Sequence, residues 1–179
     1  VTVRTKTGHG SGFFISRDGY LLTNYHVVGN SSNVKLRLEN GETLNGKVIR
    51  SLKGLDVALI KVDLNGFTAS PFPMQMNYAP VGSDVYVIGS PVSERYSATV
   101  SKGILSAYRM IKEHRLIQSD ATVHSGSSGG PLLDDRGNVI GITRAKAMSD
   151  GEVLEGLNLF IPINDAITSL NILLTDKPL

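Results

Sequence analysis

Apolar runs of only a few residues, each cut short by turn-forming residues, constrain the fold of this chain more than any other feature. Val1-Thr2-Val3-Arg4-Thr5-Lys6 alternates apolar with polar side chains, the period of a strand with one buried face. Tyr20-Leu21-Leu22, Val34-Lys35-Leu36-Arg37-Leu38 and Val57-Ala58-Leu59-Ile60-Lys61-Val62 are too short for helices. Between such runs stand Arg17-Asp18-Gly19, Gly29-Asn30-Ser31-Ser32-Asn33, Asn40-Gly41, Asn45-Gly46, Asn65-Gly66 and the stretch from Asp134 to Asn138. Glycine and asparagine there admit backbone angles that other residues resist, so each is a turn signal. Asn40-Gly41 in particular predicts a hairpin. The pattern predicts β-structure throughout. Residues 68–80 carry Pro71, Pro73 and Pro80 without a period, which predicts a strap between two β units. A single helix is expected near the end, with Asn164 as its N-cap ahead of Asp165-Ala166-Ile167-Thr168-Ser169-Leu170.

With 179 residues, 41% of them hydrophobic and 19% charged, such a chain can bury a substantial core. The net charge of +2 and the lack of a basic run with interleaved aromatics argue against a nucleic-acid partner. Cysteine is absent, which excludes disulfides and thiolate metal or redox sites. No apolar stretch approaches the roughly 20 residues of a membrane helix, and the N-terminal residues read as a strand, not a signal peptide. His9 and His114 lack metal-ligand spacing, so neither a metal nor a cofactor is expected.

The chemistry concentrates in Gly126-Ser127-Ser128-Gly129-Gly130-Pro131. A serine hydroxyl is a weak nucleophile until a base takes its proton and donors receive the oxyanion. Gly126 permits a tight turn that aims N–H groups at developing charge, and Gly129 and Gly130 leave room for a reacting carbonyl. Ser128 is therefore the nucleophile candidate. His26 follows the apolar run 20–22 and Asp56 opens the run 57–62. Taken alone, each reads as an ordinary core histidine or turn aspartate. Together they stand in the order His, Asp, Ser, which differs from the orders of subtilisins and α/β-hydrolases.

These residues, with Gly10-Ser11-Gly12-Phe13-Phe14, Leu22-Thr23-Asn24-Tyr25-His26-Val27-Val28, Ile88-Gly89-Ser90-Pro91, Ser101-Lys102-Gly103-Ile104 and Phe160-Ile161-Pro162-Ile163-Asn164, resemble the trypsin-like serine proteases of the bacterial HtrA type. The resemblance covers nearly the whole chain. It implies an all-β fold of two six-stranded antiparallel β-barrels of the chymotrypsin/trypsin type with a short C-terminal helix. It divides a single peptidase domain over 1–179 into barrel one at about 1–66, a strap at 67–80, barrel two at about 81–163 and a helix at about 164–172.

By the same resemblance, His26, Asp56 and Ser128 form the catalytic triad, and the N–H groups of Gly126 and Ser128 form the oxyanion hole. Thr143, Arg144, Ala145 and Lys146 offer a strand edge to an extended polypeptide substrate, and Val123, Lys146 and Leu157 line the specificity pocket. HtrA-type pockets favour small or medium apolar side chains. Lys146 and Arg144 depart from that wall: either they attract an acidic residue or they point to solvent. His124 is open in the same way, between pocket and solvent. Asp120 suits a structural hydrogen-bonding role better than a catalytic one.

Ser127 stands where trypsin-type zymogens use aspartate to pair with a new N-terminus, so activation by N-terminal insertion is not expected. No PDZ domain follows residue 165 and no trimer-building segment precedes residue 1 in this stretch, which leaves room for further domains outside it. By itself the stretch is expected to be a monomer near 19.2 kDa. The resemblance places it in the bacterial cell envelope, periplasmic or secreted. The activity implied is peptide-bond hydrolysis through an acyl-enzyme; the alternative is a protease-fold module that holds peptides without turnover.

Overall fold

The computed structural model describes residues 1–6, 8–89, 99–149 and 152–173, with the side chains of 145–149 and 152–156 outside the description. Ser90 and Pro91 of the motif at 88–91 also lie outside it. The N-terminal sheet contains β1 (Thr2–Arg4), β2 (His9–Ser11), β3 (Phe13–Phe14), β4 (Tyr20–Thr23), β5 (Asn33–Arg37), β6 (Thr43–Leu52) and β7 (Val57–Val62). Its order is β2-β1-β5-β6-β7-β4-β3. The two end strands, β2 and β3, are one chain run interrupted only at Gly12, so this run brings the sheet's opposite edges together into a nearly closed barrel. Counted as one strand, it leaves six.

The second sheet contains β8 (Asp84–Gly89), β9 (Thr99–Ile111), β10 (His114–Ser119), β11 (Pro131–Leu133), β12 (Val139–Ser149) and β13 (Glu152–Pro162). These close fully in the order β10-β13-β12-β11-β8-β9. Closure removes the unpaired edges that would otherwise recruit foreign strands. The protein is thus all-β, with two barrels and a short C-terminal helix.

Side-chain alternation explains why the core strands read as unbroken apolar runs. On β4, Leu21 enters the interior of barrel one while Leu22 faces a cluster between the barrels. On β7, Ala58, Ile60 and Val62 point inward, and Val57 and Leu59 point to the same inter-barrel cluster. Successive residues of a strand face opposite sides, so a strand buried on both faces must be apolar throughout. Barrel two fills its interior with Val85, Val87, Leu105, Ile117 and Phe160. Each fully buried Leu, Ile or Phe contributes roughly 1.5–3 kcal/mol.

The segment after β7 has no regular structure until β8, but it is not loose. Pro73 and Gln75 bracket Val139 by backbone bonds of 2.8 and 2.9 Å, tying it to β12. The final helix, α2 (Ile163–Ser169), lays Ile163, Ala166 and Ile167 on the inter-barrel cluster, together with Leu170 just after it. Arg50 Nη1 donates to the carbonyls of Leu170 and Asn171 at 2.6 and 2.8 Å, satisfying groups the helix end leaves open.

Two local expectations change. Asn164 is not the N-cap: β13 ends at Pro162, which takes that position, and Asn164 Oδ1 instead accepts from the Asp165 N–H. Asn45-Gly46 is not a turn but lies inside β6. A Cβ on Gly46 would stand 2.7 Å from both Ile60 Cγ2 and Leu36 Cδ1, so glycine is required by barrel packing. Asn40-Gly41, by contrast, does connect β5 to β6, with Gly41 at φ 87°.

Gly46→Ala should therefore lower unfolding stability by about 1–3 kcal/mol through overpacking, read as a lower urea midpoint at unchanged m. A midpoint equal to wild type would show that Leu36 and Ile60 can move aside.

Candidate active site

The chain leaves β4 at Thr23 and makes a single helical turn, α1 (Tyr25–Val28), that its short run of residues did not announce. Val27 and Val28 are buried and anchor the turn, so His26 is presented with its side chain about half exposed, at 48%. Gly29 ends the turn at φ 55°, its N–H donating to the Tyr25 carbonyl. Asn24 stands at the N-cap position yet makes no side-chain cap. Its Nδ2 donates instead to the Asp56 carbonyl at 2.9 Å.

Asp56 sits at the entrance of β7 with φ 65°, a region that costs a non-glycine residue energy and that aspartate tolerates better than most. Three contacts hold it there: the Asn24 amide, the His26 backbone N–H at 2.9 Å to Oδ1, and His26 Nδ1 at 2.8 Å from Oδ2. A carboxylate only accepts, so Nδ1 carries the proton and Nε2 is left as the basic nitrogen. Asp56 is 8% exposed.

The serine loop comes from barrel two but is gripped by barrel one. Ser11 Oγ donates to the Gly126 carbonyl at 2.6 Å, and the Ser11 N–H donates to the Ser128 carbonyl at 2.7 Å. Thr23 Oγ1 in turn donates to the Ser11 carbonyl at 2.7 Å. A Cβ on Gly10 would lie 2.8 Å from the Ser128 carbonyl oxygen, so the strand can approach the loop only as glycine. Gly126 and Gly129 take φ 92° and 87°, which turn the backbone tightly on either side of Ser128. The Gly129 N–H donates to the Thr143 carbonyl at 2.9 Å and the Thr143 N–H donates to the Gly130 carbonyl at 2.8 Å, tying the loop to β12. Among the described residues, the N–H groups of Gly126 and Ser128 donate to no protein acceptor. Ser127, by contrast, is buried, and its Oγ accepts from the His124 N–H at 3.3 Å.

His26 and Asp56 are thus brought together, while Ser128 Oγ donates to the Arg144 carbonyl at 3.3 Å. No hydrogen bond joins Ser128 to the His26 ring among the described residues. The other candidates disperse. Val123 is buried in the core of barrel two, Thr143 is buried beside the serine loop, and Leu157 is partly buried on β13. Ala145 and Lys146 pair with Leu159 and Asn158, and their side chains fall outside the description. Asp120 Oδ1 accepts from the Ile104 N–H at 2.8 Å, the structural role its position suggested.

Ser11 and Asn24 are the residues that sequence reasoning missed as parts of the site. Their only signal is adjacency, Ser11 between two glycines and Asn24 two places before His26.

Residues 10–142 match the family model described as a trypsin-like peptidase domain. The chain is 36% identical over 161 residues to a serine protease Do-like HtrA of Lactobacillus helveticus, covering 86% of this chain and 39% of the relative. It is 33% identical over 174 residues to the serine endoprotease DegS of Haemophilus influenzae, covering 93% and 50%. A probable periplasmic serine endoprotease, DegP-like, of Pseudomonas putida is 37% identical over 171 residues, covering 93% and 35%. The solved structure of an HtrA-type protease, AlgW, with a decapeptide is similar at TM-score 0.78 and 30% identity, covering 90% of this chain and 50% of that one. The chain spans half or less of the length of these relatives.

Ser11→Ala removes a short bond to the serine loop and should cost about 1–2 kcal/mol of stability. Denaturant titration beside wild type measures it; an unchanged midpoint would mean that the loop holds without Ser11.

Proposed function

The chain belongs to the trypsin-like peptidase family, and from that premise we propose that it is a serine endopeptidase acting through His26, Asp56 and Ser128. The observation that carries the reading is the 2.8 Å contact of His26 Nδ1 with Asp56 Oδ2, which leaves Nε2 free to act as base.

In the reaction, the Ser128 hydroxyl turns from the Arg144 carbonyl to His26. His26 Nε2 takes the proton as Oγ attacks the peptide carbonyl carbon. The oxyanion is received by the N–H groups of Gly126 and Ser128, which donate to no acceptor among the described residues. The tetrahedral intermediate collapses, His26 gives its proton to the leaving amine, and an acyl-serine remains. Water, deprotonated by His26, attacks the ester and restores Ser128. Asp56 stays ionised throughout, orienting the ring and stabilising the imidazolium.

The substrate is an extended or unfolded polypeptide that pairs along residues 144–146 in the manner of an added strand, the backbone of Thr143 being already bonded to the serine loop. The AlgW structure was solved with a decapeptide, which supports a polypeptide as the kind of partner. We assign Lys146 and Leu157 to the pocket for the residue before the cut bond; Val123, buried in the core of barrel two, is a packing residue there. The name of the Pseudomonas putida relative, a probable periplasmic serine endoprotease, supports a bacterial envelope setting, and the greater length of the relatives supports further domains beside this one. No helix among the described residues is long and apolar enough to cross a membrane.

The bond from Ser128 to the Arg144 carbonyl favours a second reading, a peptide-holding module with little turnover. Labelling by a fluorophosphonate separates the two, since only a serine activated by its base is acylated. Wild type should label and Ser128→Ala should not; a wild type that resists labelling even with an added peptide supports the module.

Ser128→Ala should abolish peptide hydrolysis while leaving the melting curve unchanged. Asp56→Asn should lower kcat on the order of 10⁴-fold, because the amide holds the wrong imidazole tautomer. Near-normal turnover by either variant defeats the assignment.

A further inference from the structure

Arg144 touches the site in two ways, through the backbone carbonyl that accepts from Ser128 and through a guanidinium that approaches Asp56. Between β12 and β13, Thr143 pairs with Phe160 and Ala145 pairs with Leu159, so Arg144 has no partner of its own and forms a bulge. A bulge changes the direction of the side chain it carries, and here it sends the guanidinium back across the cleft. Arg144 Nε lies 3.8 Å from Asp56 Oδ2, the same oxygen that accepts the His26 Nδ1–H at 2.8 Å. Both side chains are largely withdrawn from water, with 29% of Arg144 and 12% of Asp56 exposed. Asp56 therefore serves two cations during turnover, one permanent and one that forms only when His26 is protonated.

Resting on the peptidase reading above, we propose that Arg144 is a positioning residue that restrains catalysis through its charge on the Asp56 carboxylate. The sign follows from where charge develops. Proton transfer from Ser128 makes an imidazolium beside Asp56, and the carboxylate stabilises it. A guanidinium on the same carboxylate oxygen offsets part of that negative charge and repels the new cation directly. It therefore raises the barrier to acylation and holds Asp56 in place at the same time. The effect does not need a hydrogen bond, because 3.8 Å is too long for one and suits a charge contact. The side chain is also already committed to Asp56, which sets this role apart from recognition of an acidic substrate residue.

Arg144→Gln removes the charge and keeps most of the length, Arg144→Met keeps the bulk where the amide disturbs the bulge, and Arg144→Lys keeps the charge. None of them alters the carbonyl that accepts from Ser128. With a neutral peptide substrate, Arg144→Gln and Arg144→Met should raise kcat on the order of tenfold at unchanged KM. Arg144→Lys should return the rate toward wild type. The proton NMR resonance of His26 Nδ1–H supplies a readout that needs no turnover: it should move downfield in the two neutral variants and return in Arg144→Lys.

A kcat at or below wild type in both neutral variants, with the resonance in place, overturns the proposal. So does a rise in KM confined to acidic substrates, which would make Arg144 a recognition residue. If no Ser128-dependent hydrolysis occurs but the resonance still moves, the peptidase reading fails and the charge coupling stands.

Discussion

Ser11 joins two halves of the molecule that chain connectivity keeps far apart. Its hydroxyl holds the Gly126 carbonyl, its N–H holds the Ser128 carbonyl, and its own carbonyl is held by Thr23. The serine loop belongs to barrel two, whereas His26 and Asp56 belong to barrel one. Barrel packing alone would bring them to the same cleft with a looseness of side-chain dimensions. Catalysis needs tolerances nearer half an ångström, which take directional bonds. The Ser11 bonds supply that direction from barrel one at the level of the backbone, while the bonds of Gly129 and Gly130 with Thr143 tie the loop to barrel two. The glycine at position 10 is the steric counterpart, since the strand must pass close to the Ser128 carbonyl.

The aspartate is held by a similar logic, with a local energetic cost. Its left-handed backbone, the buried carboxylate and the Asn24 amide are coupled. Asn24 directs its Nδ2 to the Asp56 carbonyl, and its own buried Oδ1 has no partner among the described residues. An unsatisfied buried acceptor and a strained backbone each cost on the order of 1–3 kcal/mol, and such costs persist only where the surroundings over-determine the geometry. Here the surroundings are β4 and β7, adjacent antiparallel strands whose apolar residues are buried on both faces. The rigidity of that pair lets two residues at its end keep an unfavourable but useful arrangement.

Much of the architecture was legible from residue order. The run at 57–60 lies in a strand buried on both faces and is apolar throughout, whereas the run at 34–38 belongs to a strand with one face exposed and alternates. Asn40-Gly41 and Asn65-Gly66 both mark real turns, with positive φ at Gly41, Asn65 and Gly66. Asn45-Gly46 carries the same dipeptide signal but sits in a strand, because the barrel interior excludes a side chain there. Propensity reports what a backbone tolerates and is silent on how near its neighbours come. The turn α1 was missed for a related reason: four residues are too few for a helical period, and the turn is held by burial of Val27 and Val28.

The sequence by itself determined the β class, the glycine frame around Ser128 and the order of His26, Asp56 and Ser128, because these are read from residue identity and position along the chain. Tertiary structure alone decided what fixes them. Ser11 meets Gly126 across 115 residues, and Arg50 meets Leu170 across 120. It also decided that Arg144 leaves its ladder and turns to Asp56, since a bulge arises from the register of two strands and not from either strand alone. Periodicity tells which face of a strand is buried; it carries no information about which distant residue will stand against that face.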